Sequence, residues 1–284
     1  MPTLVLSTGS LYTYGMARVF ELAAWAGFDA VEILVDERWD TRQPAYLRRL
    51  SRETNLPIAA VHNPFKPFVP GWPHDALGRL QETVTVARQV GAAVVVAHLP
   101  LRTRGARLEF FGFRRGAMLL PIPLGGETAY RDFLLNGLAA FEASEGIQIG
   151  VENMPVKHVL GRVVDIHWLN NLETLAQMPH LTLDTTHAGT WGADLLAVYE
   201  RLKARLVHVH LSDFDGREHR LPGDGHLPLA ELLQRLSQDG YTGAASVEVG
   251  PEVLQAEDEA QVRSHLRRVV GFCREHTSGG PGPA

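Results

Sequence analysis

Eight short runs of β-branched and small apolar residues recur along this chain, each followed by a stretch of helical periodicity. They are TLVLS (3–7), AVEIL (30–34), PIAAVH (57–62), AVVVAH (93–98), IQIGVE (147–152), LTLD (181–184), LVHVH (206–210) and AASVEV (244–249). Several are near-continuous Val, Ile, Leu and Ala, the pattern of parallel strands buried on both faces. The helical stretches stop where helices should. Residues 16–27, 76–91 and 130–146 each end in Gly, and 45–55 and 165–178 halt before Pro57 and Pro179. Helical periods at 193–205, 229–240 and 258–276 complete the alternation. Such alternation predicts an α/β fold, either an open doubly wound sheet or a closed barrel. The count of eight favours closure. So does the stretch after the first strand, GSLYTYG (9–15), which is not the G-x-G-x-x-G phosphate fingerprint. The expectation is a single (β/α)8 TIM barrel over residues 1–276, with TSGGPGPA (277–284) as a disordered tail.

Composition bounds the function. The chain has 284 residues, 45% hydrophobic and 21% charged, which suits one large domain. A net charge of −5 carries no global electrostatic footprint for nucleic acid. Cys273 is the sole cysteine, so no intrachain disulfide can form, and it reads as a packing residue on the last helix. The N-terminal MPTLVLSTGS shows no basic segment and no long apolar stretch, hence no secretory signal. No apolar run approaches the ~18 residues of a membrane helix. These features predict a cytoplasmic protein with no membrane partner.

One connection is too long. The interval from His98 to Glu152 exceeds every other gap between successive strand ends, and the excess lies in residues 99–128. This long loop leaves the fourth strand at the end where barrel active sites form. It carries Arg102, Arg104, Arg107, Arg114 and Arg115, interleaved with Phe110, Phe111 and Phe113. It reads either as a solvated surface loop or as a lid, a phosphate platform or a subunit contact. Its apolar stretch AMLLPIPLG (117–125) would make an interface strand in a homo-oligomer, or simply a tucked loop.

The strand ends carry the chemistry. Strand two holds Glu32, strand three ends in His62, strand four in His98 and strand five in Glu152. Strand six ends in Asp184, with His187 three residues on; strand seven offers His208 and His210; strand eight offers Glu248. Ionisable groups cost several kcal/mol when buried unpaired, so this recurrence is poorly explained as satisfied core. In a closed barrel these ends converge. Carboxylate and imidazole without thiolate suit Mn²⁺, Co²⁺, Mg²⁺ or Zn²⁺. A divalent cation also relieves the repulsion among Glu152, Asp184 and Glu248. Asp184 therefore reads as a metal ligand, and His187 as a substrate contact or further ligand. His210 lies nearer the mouth than His208, which should be layered below. Glu32 reads as a substrate or supporting group. After strand seven, HLSDFDGREHRLPGDGHLPL (210–229) brings Arg217 and His219 ahead of a tight turn. Arg217 offers a fork for carboxylate, phosphate or sugar oxygens.

GVEN, LDTTHAG, HVHLSD and LPGDGHLPL, at these strand ends, resemble the xylose isomerase-like TIM-barrel superfamily. The resemblance spans the chain from GFDAVEI to SVEV. Its sugar isomerase and 3-epimerase branch implies a metal held by Glu152, Asp184, His210 and Glu248. It also implies substrate contacts from His187 and Arg217; His219, on the loop that could fold back over the mouth, and Glu32 read from the residues as further substrate-binding candidates. Glu152 and Glu248 would be the catalytic acid and base, moving a proton through a metal-stabilised enediolate. The substrate would be a sugar or sugar phosphate. The endonuclease IV branch implies three zincs and phosphodiester hydrolysis at abasic DNA. The first zinc would sit on His62, His98 and Glu152, and the third on His187 and His219 with an Asp where this chain has Arg217. Asp213 or Asp215 could replace that Asp only along a different loop path. His62 and His98 fit either branch, as substrate contacts or ligands of a second metal. The Arg-rich loop could supply DNA contacts that the net charge does not. A keto-inositol dehydratase-type lyase uses the same scaffold.

Overall fold

The computed structural model describes residues 1–66, 68–110 and 116–277, with backbone alone across 103–110 and 116–125. Eight parallel strands close into a barrel: β1 (Thr3–Ser7), β2 (Ala30–Leu34), β3 (Ile58–His62), β4 (Val94–Ala97), β5 (Gln148–Glu152), β6 (Leu181–Asp184), β7 (Leu206–Leu211) and β8 (Ala244–Val247). Each strand pairs with its sequence neighbours, and β1 pairs with β8 to complete the ring. The expected TIM barrel is the fold.

Closure divides every strand into two rows of side chains. One row faces the helices: Leu6, Val31, Ile33, Val61, Val95, Ile149, Val151, Leu183, Val209 and Val247 lie in a single apolar cluster with helical residues such as Phe20, Leu80, Leu232 and Leu266. The other row faces the barrel axis. At its floor Val5, Ala30 and Ala244 form a separate small apolar cluster. Above that floor the axial row turns polar. Glu32 sits opposite Ser7 in register, His208 opposite Ala244, and His210 opposite Ser246 and Asp184. The same period of two that builds the outer core thus delivers the ionisable residues to the interior.

Glycines do two jobs here. Gly27, Gly91 and Gly146 end their helices in the left-handed region at φ 96°, 78° and 65°. Gly150, on the axial row of β5, has no room for a side chain: a Cβ there would lie 2.3 Å from Thr182 Oγ1.

Several connections depart from the expected elements. The helix expected at 130–146 is two, Thr128–Asn136 and Leu138–Glu145, meeting at Gly137. The helix expected at 165–178 shrinks to Leu172–Leu175, capped by the Asn171 side chain. Residues 166–168 are instead pinned to the start of the long loop, where Arg102 N–H donates to Ile166 O at 2.8 Å and Trp168 N–H to Pro100 O at 2.7 Å. The long loop contains an antiparallel hairpin, Thr103–Phe110 with Gly116–Gly125. The side chains of Arg104, Arg107, Arg114, Arg115 and the three phenylalanines lie outside the described residues, as do those of 117–125. A second hairpin, Lys157–Val159 with Arg162–Val164, follows β5. The last helix runs Glu259–Thr277, so Thr277 belongs to it rather than to a tail; 278–284 lie outside the described residues. Among the described residues no helix is long and apolar enough to cross a membrane.

The tight approach of β5 to β6 generates a stability prediction. Gly150→Ala should destabilise the fold by about 1–3 kcal/mol in urea unfolding, the usual cost of overpacking. Removing the obstructing hydroxyl with Thr182→Ala in the same chain should recover part of that loss. An unchanged midpoint in the single variant would show that the barrel interior is looser than described.

Candidate metal centre and active site

Carboxylates from β5, β6 and the position just after β8 meet at one edge of an imidazole from β7. His210 Nδ1 lies 2.8 Å from Glu152 Oε1, 3.0 Å from Glu248 Oε2 and 3.7 Å from Asp184 Oδ2. Glu152, Asp184 and His210 are buried, whereas the Glu248 side chain keeps 16% of its surface exposed. β8 ends at Val247, which leaves Glu248 at the first position of the following loop, facing the mouth.

Each of these groups is fixed by its local chain. Asp184 caps the short helix Thr185–Thr190, its Oδ1 accepting the His187 N–H at 2.8 Å. The buried Asn153 side chain, just past the end of β5, locks the same residue: it accepts the Asp184 N–H at 2.7 Å and donates to Asp184 O at 3.0 Å. Asp184 Oδ2 is thereby left free to face the cluster. His187 donates from Nδ1 to Asn153 O at 2.9 Å, and that nitrogen sits 3.6 Å from both Glu152 and Asp184. His62 donates from Nδ1 to Asn63 O at 2.8 Å, which turns its Nε2 toward Glu152 Oε2 at 3.7 Å. His98 Nε2 approaches the same oxygen at 3.4 Å, with the Phe65 ring edge-on to it, 5.9 Å between centroids. His219, in the left-handed region at φ 57°, donates from Nδ1 to Glu248 O at 3.2 Å and packs edge-on against His187.

Arg217, expected to touch substrate, and Glu32, expected to touch substrate or support the site, are each engaged by other groups. The Arg217 side chain is 71% exposed, its guanidinium held 2.7 Å from Asp215. Asp215 also accepts the Arg217 backbone N–H at 3.0 Å, so the local turn captures the arginine before it can reach inward. Glu32 is fully buried on the barrel axis, with Oε2 2.5 Å from His208 Nε2 and 3.2 Å from His210 Nε2. It lies beneath His210, where substrate cannot go. His208 is layered below His210, as its position on the strand predicts. Asp213 is not available as a ligand either. Its carboxylate accepts N–H groups of Phe214, Gly223 and Leu227 and so builds the glycine-rich turn. Asn153 stands beside Glu152 in GVEN, but its residue type alone does not mark it as part of the site. The buried His167 has no sequence signal either, since nothing in 165–178 marks an extended segment lying against the site.

The electrostatics follow from the crowding. Burial opposes ionisation of Glu152, but His210, then His62 and His187, hold its carboxyl well below the usual carboxylate range. Burial likewise opposes Glu248, and His210 leads the groups that lower it to about 2. Burial works against charge on His210 as well, yet Glu248, Glu32 and Glu152 raise it well above an ordinary histidine. His62 and His98 compete for one oxygen of Glu152. Burial disfavours charge on both; the neighbouring Glu152 carboxylate lifts His62 to about 9, while burial and the charge on His62 lower His98 to about 3.

A divalent cation fits this donor set. Among the described residues these carboxylates find only imidazoles as ion-pair partners, with no lysine or arginine. Glu152 Oε2 and Asp184 Oδ2 are buried without a hydrogen bond. One donor atom from each of His62, Glu152, His210 and Glu248 falls within 4.8 Å of the others, as do those of Glu152, Asp184 and His187. Hard oxygen and imidazole donors of this kind suit Mg²⁺, Mn²⁺, Co²⁺ or Zn²⁺.

Comparison with known proteins gives the same frame. A family model described as xylose isomerase-like TIM barrel matches residues 20–269. An uncharacterized protein of Mycobacterium tuberculosis is 28% identical over 294 aligned residues, covering 95% of this chain and 96% of its own. The apo structure of 3-keto-D-glucoside 4-epimerase from E. coli is similar with a TM-score of 0.67 at 18% identity, over 97% of this chain and 100% of that one. D-Allulose 3-epimerase from Methylomonas sp., in complex with D-allulose, gives a TM-score of 0.62 at 17% identity, over 97% of each chain. At these identities both structures show a shared fold.

The raised histidines make the metal-free protein alkali-sensitive. His62, held at about 9 against an ordinary 6.5, contributes stability that is complete below pH 6.5 and is lost as pH rises through 9. His210 and His219 are raised too and act in the same direction. Calorimetry in EDTA should show Tm falling by several degrees between pH 6.5 and 9, at roughly 2–4 °C per kcal/mol for a domain of this size. His62→Gln should reduce the fall. A Tm that is flat or rises across this window would contradict the assignment of charge.

Proposed function

The chain belongs to the xylose isomerase-like TIM barrel family, and from that premise we propose that it is a divalent-metal-dependent isomerase or epimerase of a sugar or sugar phosphate. The observation that carries this reading is the meeting of three carboxylates, from β5, β6 and the end of β8, at His210 Nδ1. Glu152, Asp184, His210 and Glu248 would hold the ion, and His62 and His98 would contact substrate or hold a second. When bound, such an ion withdraws electron density from a carbonyl and a neighbouring hydroxyl, and so acidifies the C–H between them.

The protein groups supply the rest. Glu152 and Glu248 are held ionised, which is the form a general base needs. One of them removes the proton from the carbon beside the carbonyl, and an enediolate results. That carboxyl, now protonated, returns the proton itself, or the other glutamate returns one that it has taken from solvent. Delivery to the opposite face of the same carbon inverts it; delivery to the adjacent carbon moves the carbonyl. His187 and His219 reach the same space and can donate to substrate oxygens as their charge develops. The names of the two solved epimerases support this reaction class. The endonuclease reading is weaker because Arg217 occupies the expected third-zinc carboxylate position and Asp213 is held by the turn. A dehydratase-type lyase differs only in expelling a hydroxyl from the same enediolate.

The test uses protein loaded with Mn²⁺ and a panel of ketoses, aldoses and their phosphates in D₂O. NMR should detect deuterium at one carbon of the accepted sugar, together with its epimer or isomer. Glu152→Gln and Glu248→Gln should each lower kcat at least ~100-fold, the scale of general acid–base catalysis. Saturating Mn²⁺, at about 100 times its Kd, should stabilise the wild-type chain by about 2.7 kcal/mol. Three bound zincs with cleavage of an abasic-site duplex, or loss of water from the sugar, would replace the isomerase reading with the nuclease or the lyase.

A further inference from the structure

The mechanism above leaves Glu32 and His208 without a task, yet they are among the most deeply buried ionisable residues described. Glu32, His208 and His210 are each 0% exposed. Glu32 enters from β2, across the barrel axis from β7, and its Oε2 lies between the two imidazoles, 2.5 Å from His208 Nε2 and 3.2 Å from His210 Nε2. A carboxylate so placed, away from water and from any lysine or arginine among the described residues, carries a large desolvation cost unless it accepts strong hydrogen bonds. His210 Nε2–H supplies one to Oε2, while His208 Nε2 touches the same oxygen without hydrogen-bond geometry.

We propose that Glu32 is a positioning residue that fixes the proton of His210 on Nε2, keeping Nδ1 as the lone-pair donor at the mouth, with His208 holding Glu32 from below. This inference rests on the metal-dependent reading of the site. The physical need is specific. Three carboxylate oxygens lie 2.8–3.7 Å from His210 Nδ1. In a neutral imidazole they would draw the single ring proton onto Nδ1, and a protonated nitrogen cannot bind a cation. An acceptor at the opposite ring edge is needed to draw the proton away, and Glu32 Oε2 is that acceptor. The geometry is that of a carboxylate–histidine–metal arrangement, in which the outer carboxylate sets both the tautomer and the basicity of the ligand. The small floor of Val5, Ala30 and Ala244 closes the barrel beneath this pair.

The test measures binding rather than turnover. Glu32→Gln keeps the volume but replaces the carboxylate by a neutral amide; Glu32→Leu removes the acceptor altogether. Titration with Co²⁺ should show Kd weakened about 10–100-fold in both, the usual effect of losing such a partner, with an altered visible spectrum of the bound Co²⁺. In the zinc-loaded wild-type protein, long-range ¹H–¹⁵N correlation should place the His210 proton on Nε2, a readout that does not require either variant to fold. A folded Glu32→Gln with unchanged Kd and spectrum overturns the role of Glu32 while leaving the function standing. So does a His210 proton found on Nδ1, or two ions in the wild type with one lost in Glu32→Gln, which would make Glu32 a ligand. A wild-type chain that binds no divalent ion overturns both.

Discussion

Packing three carboxylates, two of them buried from water, around one imidazole edge is the constraint on which this structure turns. Such an arrangement is unfavourable unless positive charge enters it. In the metal-free chain that charge is borrowed from histidines, which explains why His210 and His62 hold protons more tightly than an ordinary imidazole. The histidines are thus proton reservoirs that a cation would displace. Polar contacts around the cluster serve this end: Asn153 and the cap of the Thr185–Thr190 helix spend one side of Asp184, and the other oxygen is left for the cluster.

The barrel makes the arrangement affordable. Its outer apolar layer, continuous through nearly every helix, supplies the stability, so the axial row can hold ionisable groups in place of aliphatic ones. A rigid ring of backbone hydrogen bonds sets the distances between strands, and residues on neighbouring strands inherit their spacing from the register. Asp184 stands beside His210 because β6 and β7 pair at that step. The position of the site is thus a property of closure rather than of any loop.

That is also why so much of the fold and site is legible in the sequence. Apolar runs announced the strands, glycines and prolines announced most helix ends, and the last residues of the strands pointed to one mouth. Connections were less readable. The two hairpins arise from pairing within loops, and the stretch 165–178 lost most of its helix because 166–168 bind the backbone of 100–102, a contact that no local periodicity encodes. Within the site, strand position predicts convergence and the order of His208 and His210 along β7, but not the depth of Glu32. Glu32 shares the axial row with the cluster, and only the stagger of β2 against β7 puts it below His210. Arg217 misled for a different reason: its residue type suits a substrate clamp, but Asp215, two places before it, satisfies it outside.

The most direct measurement is a crystal structure grown with Mn²⁺ and recorded at its absorption edge. The account predicts an anomalous peak bonded at once to Glu152, Asp184, His210 and Glu248, with the barrel otherwise unmoved. A peak bonded elsewhere, or none at these four side chains under saturating Mn²⁺, would contradict it.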